Sequence, residues 1–450
     1  MVDLRTFLTS KYFPKSVDSL IIGDLPAVEL AETYGTPLFV YDSNILDLKY
    51  DALRVALPER FAIYYSIKAN PCFAVVKHFL SRGCGLEIAS LGEYRKALEA
   101  GCSPERILFA GPGKSETELE VVLSSGVGEI HIESLTEANR IATICRRSGS
   151  RAQVAVRINP AGEAEGGAMR MGGRPAPFGM DEELLDEVLD AVLAQPELEL
   201  CGIHLFTGTQ ILDAATLRNQ YRHGLSLARR VVKRLGRPLR TLDFGGGLGI
   251  PYFAHEQELN LECLREKLVT LCEEVDSDPC FEGTQFIVEP GRFLAGEAGV
   301  YLTRISDIKT SRGKKFLIVD GGMNHHLAAS GNLGQTIKRN YPIAIANKLR
   351  APASEAVDIV GPLCTPLDTL ARGIVLPDAE IGDLVGIFQS GAYGRSASPT
   401  GFLSHPEPAE IFLQGGSHSS VNRPGDVSEF ARRESALSRN QLHRKLSALP

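Results

Sequence analysis

Between about residues 60 and 290, two hydrophobic patterns alternate along the chain. Short β-prone runs read "FAIYYSI", "GLEIAS", "RILFAG", "EIHIES", "AQVAVRI", "ELCGIHLF", "TLDFGG" and "TQFIVEP". Between them lie stretches such as "GEYRKALEA", "SETELEVVLSSG" and "EANRIATICRRS", whose apolar residues recur every three or four positions. The first pattern predicts strands and the second amphipathic helices. Eight such repeats predict an α/β fold closed as a (β/α)8 TIM barrel rather than an open doubly wound sheet. Chemistry in a barrel gathers at the C-terminal ends of its strands.

The texture changes after about residue 295. "VYLTRISDIKT", "KKFLIVDGG", "EAVDIVG" and "GDLVGIFQSG" are short strand patterns split by Gly and Pro turns, which predicts a second, mostly β domain. The early runs "SLIIGD" and "TPLFVYD" are expected to join it. The predicted organisation is an N-terminal segment over 1–40 joining the β domain, the barrel over 41–295, the β domain over 296–414 and a polar tail over 415–450. Within the barrel, "NPAGEAEGGAMRMGGRPAPFGM" (159–180) is a Gly-rich loop near the active face.

Composition narrows the function. The chain has 450 residues, 44% of them hydrophobic and 23% charged, as an ordinary globular protein with a large core has. A net charge of −7 argues against nucleic-acid and membrane-surface partners. No run approaches a membrane span, and the N-terminus lacks signal-peptide features, so a cytoplasmic location is expected. The nine cysteines include no C-x-x-C pair, which argues against a metal site or a disulfide framework.

Placed on the predicted strands, the polar residues gather at one mouth. Lys68 follows the first strand, Glu87 lies in the second, Arg157 in the fifth and His204 in the sixth. Gly245, Gly246 and Gly247 follow the seventh, and "EPGR" (289–292) the eighth. A lysine at a strand end is either a solvated cap or a reactive amine. A glycine run is either a turn or a nest of bare N–H groups for a phosphate. Glu289 and Arg292 are either an ordinary ion pair or grips for a ligand. Lysine, phosphate nest and carboxylate together point to pyridoxal phosphate, because they suit its aldehyde, its phosphate and its ring nitrogen.

"YYSIKANP", "HLFTGTQI", "DFGGGLGIP", "EPGR", "GPLCTPLD" and "SGAYG" resemble the fold-type III pyridoxal-phosphate decarboxylases, the group of the diaminopimelate and ornithine decarboxylases. The resemblance runs from about residue 20 to 412 and implies an alanine racemase-like barrel plus β domain, working as a homodimer with shared active sites. It assigns Lys68 to the Schiff-base lysine, Gly245–Gly247 to the phosphate loop and Glu289 to the partner of the pyridine nitrogen. It gives Gly291, Arg292, Tyr393 and Thr209 to the phosphate, and Cys364 to a thiol from the partner chain that protonates the substrate after carbon dioxide leaves.

Departures from the pattern bear on the substrate. Thr365 stands where those enzymes carry an acid that holds the substrate's distal ammonium. Phe206 replaces the second histidine of an "HxH". Leu403 and His405 occupy a segment that is polar or basic elsewhere, and "GGMNHHLAAS" lacks an Arg-Pro. "GPLCTPLDTLAR" and "GAYGRSASPTGFLSHP" are similar to a subgroup from biosynthetic clusters. It includes an enzyme acting on glutamate tethered to an acyl carrier protein, and exosortase-associated decarboxylases. The expected activity is α-decarboxylation of an amino acid or carrier-tethered aminoacyl group, glutamyl-type favoured. Diaminopimelate decarboxylation is the alternative, a racemase is disfavoured by Cys364, and a non-catalytic regulator by the full set of cofactor residues.

Overall fold

The computed structural model describes residues 3–161, 169–170, 175–333, 335 and 337–422. Ile45–Glu297 form one compact unit, and the described residues of Met1–Asn44 and Ala298–Pro450 form another.

The first long strand, β1 (Leu38–Asp42), belongs to the second unit. The eight expected barrel strands are β2 (Phe61–Ser66), β3 (Gly85–Ile88), β4 (Ile107–Phe109), β5 (Glu129–Ile132), β6 (Ala152–Asn159), β7 (Leu198–Leu205), β8 (Thr241–Asp243) and β9 (Gln285–Val288). Each pairs in parallel with the next, and β9 pairs back with β2, so the sheet closes. Closure leaves no edge to protect. The intervening helices start where a side chain caps them. Ser90, Ser134, Asp213 and Asn260 each accept a first-turn N–H, and Ser115 with Glu118 forms a capping box. Left-handed glycines, Gly149 and Gly236, stop two of them. Tyr221 of the long helix Ala214–Leu235 stacks on Phe244, with Phe61 and Phe286 completing a buried aromatic cluster. That cluster anchors the C-terminal end of β8, where the glycine loop begins.

In the second unit, β1 lies inside a sheet with β10 (Gly299–Ser311), β11 (Lys314–Val319), β13 (Glu355–Val360), β14 (Thr369–Leu376), β16 (Ala409–Gln414) and β17 (Ser417–Asn422). Strand β15 (Leu384–Ile387) pairs with both β10 and β12 (Ile343–Ile345). "TPLFVYD" is thus a central strand, whereas "SLIIGD" yields only Ile21–Ile22, paired with Leu25–Pro26. Strand β14 escapes the sequence pattern because register shifts against β13 break its alternation. Residues 417–422, which composition assigns to a polar tail, form the outer strand of a hairpin. Gly415 and Gly416, both at positive φ, close that hairpin as a two-residue turn. The rest of the expected tail, 423–450, and half of the Gly-rich 159–180 loop lie outside the described residues.

Candidate active site

Strand β2 ends at Ser66, and one 3-10 turn, Ile67–Ala69, carries Lys68. Behind it the chain is pinned: Tyr65 donates to the Asn70 carbonyl at 3.0 Å, and the Asn70 side chain accepts the Cys72 N–H at 3.0 Å. Pro71 keeps Asn70 extended, so a helix cannot run on from the lysine turn. The Lys68 ammonium donates to Glu87 with Nζ 3.1 Å from each carboxylate oxygen. Glu87 on β3 sits in register with Ser66, whose hydroxyl also donates to it. The carboxylate is buried while the lysine is 45% exposed, so the amine stands at the mouth, tethered from below. The Phe206 ring also lies near it, 6.0 Å from Nζ to the centroid.

Beneath the mouth lies a buried polar cluster. His204 on β7 is in register with Asp243 on β8, which is in register with Ile287 on β9. His204 Nε2 approaches Glu289 Oε2 at 3.5 Å, and His131 on β5 stacks on His204 with ring centroids 4.4 Å apart. His131 Nδ1 is 3.9 Å from Glu289, and its Nε2 lies 3.3 Å from Glu129 and 3.8 Å from Asp243. Burial lowers His204 to about 4, against the pull of Glu289, so its ring is neutral near pH 7. Burial, and then the neighbouring Glu289 charge, push Asp243 well up, toward the protonated form. One atom from each of His131, His204, Asp243 and Glu289 lies within 4.8 Å of the others, a spacing that could hold a cation on distance alone.

The loop after β8 is shaped by close approach. Gly245 and Gly247 take positive φ, and a Cβ on Gly246 would fall 2.5 Å from the Glu289 carbonyl oxygen. Asp243 accepts the Gly245 N–H at 2.7 Å, and Gly245 accepts the Glu289 N–H at 2.8 Å, so loop and carboxylate move together. The segment carrying Thr209 is clamped to this loop, since Ile211 N–H donates to the Gly247 carbonyl and Gly249 N–H to that of Ile211. A Cβ on Gly291 would lie 2.7 Å from Ala69 Cβ, so glycine lets the "EPGR" turn pack against the lysine turn. Arg292 donates to the Tyr252 hydroxyl at 3.0 Å.

Three comparisons bear on what this arrangement serves. The family model described as pyridoxal-dependent decarboxylase, pyridoxal binding domain, matches residues 45–296. The chain belongs to the pyridoxal-dependent decarboxylases. It is 39% identical to the L-glutamyl-[BtrI acyl-carrier protein] decarboxylase of Niallia circulans, over 89% of this chain and 94% of that one. The diaminopimelate decarboxylase of Aquifex aeolicus is 33% identical over 88% and 91%. The Helicobacter pylori diaminopimelate decarboxylase, solved with L-lysine, superposes with a TM-score of 0.81 at 28% identity, covering 91% of this chain and 99% of that one. The protein is therefore a pyridoxal-phosphate-dependent carboxy-lyase.

The decarboxylase's barrel fits that cofactor. A glycine loop with no room for a side chain offers bare N–H groups, and Glu289 Oε1 is buried without a hydrogen-bond partner among the described residues. Arg157, expected from the sequence to contact the cofactor, lies on β6 beside a buried carboxylate. Its guanidinium is committed to Glu133 at 2.7 Å and lies over the Phe178 ring. Glu133 also accepts the N–H groups of Gly111 and Gly179. Burial would raise this carboxyl, but Arg157, Lys114 and the Gly179 N–H outweigh it and the net direction is down. Sequence reasoning missed Glu133, Lys114, His131 and Asp243; only strand register shows them to be neighbours.

Residues expected at the site from the β-rich unit sit on its turns. Cys364 is the exposed cysteine of the nine, on the turn between β13 and β14. That turn is built on buried Asp368, which accepts the Leu363 N–H at 2.8 Å and the Met323 N–H at 2.6 Å. The Thr365 hydroxyl accepts the Leu367 N–H, so it serves the turn's own geometry. Tyr393 is half-buried at φ 54, in a segment where a Cβ on Gly394 would meet the Phe39 ring at 2.7 Å. His405 is half-buried and follows Leu403 and Ser404, both at φ 55. No described helix is long and apolar enough to cross a membrane.

Proposed function

We propose that this decarboxylase removes the α-carboxyl of a glutamyl-type aminoacyl group tethered to a carrier protein, as a homodimer that shares its active sites. The reading is carried by the Lys68–Glu87 pair standing above the glycine loop and Glu289. Lys68 would hold the cofactor aldehyde, the Gly245–Gly247 loop through the N–H groups of Gly246 and Gly247, with Gly291, its phosphate, and Glu289 its ring nitrogen. Thr209, Arg292 and Tyr393 would add phosphate contacts. Bound pyridoxal phosphate supplies an electron sink for the bond that breaks as carbon dioxide leaves.

The chain's own groups then have defined tasks. Glu87 keeps the Lys68 amine positioned and compensated until substrate amine replaces it. Neutral His204 leaves Glu289 free to serve as the buried negative charge opposite the ring nitrogen. Phe206 covers a face without offering a proton. Cys364 of the partner chain donates the proton to the substrate α-carbon, a task suited to a thiol.

Two observations favour the tethered substrate. The Niallia circulans carrier-protein decarboxylase is more similar than the diaminopimelate decarboxylases reported above, at 39% against 33%. Thr365 also removes the carboxylate that would hold a distal ammonium. Mass-spectrometric loss of carbon dioxide, followed side by side on glutamyl-carrier protein, free glutamate and diaminopimelate, tests the choice. Turnover of the tethered substrate alone is expected, and preferential turnover of diaminopimelate would overturn it.

A further inference from the structure

The β-rich unit contains a pocket of about 320 Å³ between the chain around residues 329–340 and the start of β14. Its lining includes Lys338, Arg339 and Arg372, together with Ser330, Asn340 and Thr369, and no acidic residue. In a chain with net charge −7, three cations and no carboxylate around one concavity form a local reversal of sign. Among the described residues neither Lys338 nor Arg372 forms an ion pair. The Lys338 ammonium donates to Asn332, which itself donates to the Leu367 carbonyl at 3.2 Å. Asn340 holds the Arg372 backbone from both sides, donating to its carbonyl at 2.8 Å and accepting its N–H at 2.9 Å. The Arg372 backbone and the Lys338 amine are thus tied to their neighbours, and Asn332 is bonded to the turn that carries Cys364.

We propose that this pocket binds the phosphate of a carrier protein's phosphopantetheinyl arm. The inference rests on the carrier-tethered reading and extends it to a site outside the barrel. A pantetheinyl thioester carries one phosphodiester at a fixed reach from its acyl group. Guanidinium and ammonium groups are the groups that recognise such an anion. The pocket's volume accommodates the phosphate and its first carbons rather than a folded domain. Gripping the arm beside the Cys364 turn would fix how far the acyl end extends and leave the carrier's own surface little to do.

The test is calorimetric binding of 4′-phosphopantetheine and of unphosphorylated pantetheine to the pyridoxal-loaded full-length protein. The phosphorylated compound is expected to bind at least about ten-fold more tightly, the worth of one charged hydrogen bond. R372Q and K338Q should each shrink that ratio toward one, with the cofactor's visible absorbance unchanged as evidence of folding. In the wild-type protein the ratio should fall as salt is raised. A wild-type ratio near one, a ratio insensitive to salt, or variants that keep it would overturn the proposal. Decarboxylation assays separate the two ideas. Turnover of glutamyl-carrier protein with no phosphate preference removes the pocket alone, whereas phosphate-selective binding without tethered turnover removes the substrate reading alone.

Discussion

Replacing Gly246 with alanine isolates the contribution of the glycine loop. The residue is not at positive φ, so the perturbation is steric rather than conformational. The new Cβ would lie 2.5 Å from the Glu289 carbonyl oxygen, and about 0.5 Å of separation is needed merely to leave the forbidden range. Neither partner can yield as a flexible side chain would, because both are backbone and Gly245 accepts the Glu289 N–H. Overpacking of this kind costs about 1–3 kcal/mol. If the shift also breaks one charge-assisted N–H contact to the phosphate, worth about 1.5–3 kcal/mol, cofactor Kd rises about 10- to 150-fold. Gly236→Ala is the control: it sits at φ 75 with nothing within 4 Å of its Cβ, so it carries strain without collision. Titration with pyridoxal phosphate, read by visible absorbance, should show weak binding for G246A and ordinary binding for G236A. Wild-type affinity in G246A, within two-fold, would refute the idea that this backbone cradle holds the phosphate.

Asp243→Asn should change stability by less than about 1 kcal/mol, since a neutral acid gives way to a neutral amide that can still accept the Gly245 N–H. Asp243→Ala strands that N–H and should cost about 1–3 kcal/mol; equal destabilisation of the two variants by urea melts would show that the carboxyl is ionised. Acid sensitivity should come from the β-rich unit, where burial lowers His325 to about 4 and His326 to about 3 from an ordinary 6.5. Both folded values lie below the unfolded ones, so the unfolded chain binds more protons and stability is lost as pH falls below 6.5. Two such protons amount to roughly 3 kcal/mol per pH unit over most of that window. In the barrel His204 and the lowered Glu289 act in the same direction and Asp243 in the opposite one. Melting temperatures that stay level from pH 6.5 to 4.5 would contradict this.

The barrel was legible because its strands are short, apolar and β-branched, and capped helices separate them. Lys68, the glycine loop and Glu289 were legible because each breaks such a run at its C-terminal end. His131 and Asp243 do not break anything. His131 shares its strand with Glu129 and Asp243 is the last residue of its own, and they meet each other, His204 and Glu289 across the barrel, which no local pattern records. Arg157 pairs with Glu133, which sits on the turn after β5 and meets it through the pairing of β5 with β6. The Ser417–Asn422 strand was hidden by its polar composition, since an outer hairpin strand can be held by backbone bonds with little to bury.

The central claim is that Lys68 is the amine that holds the cofactor. Borohydride reduction of the pyridoxal-loaded protein, followed by peptide mass mapping, tests it directly. The account predicts a single pyridoxyl adduct on the peptide containing Lys68 and none in Lys68→Ala. An adduct on another lysine, or the same yield from the variant, would contradict it.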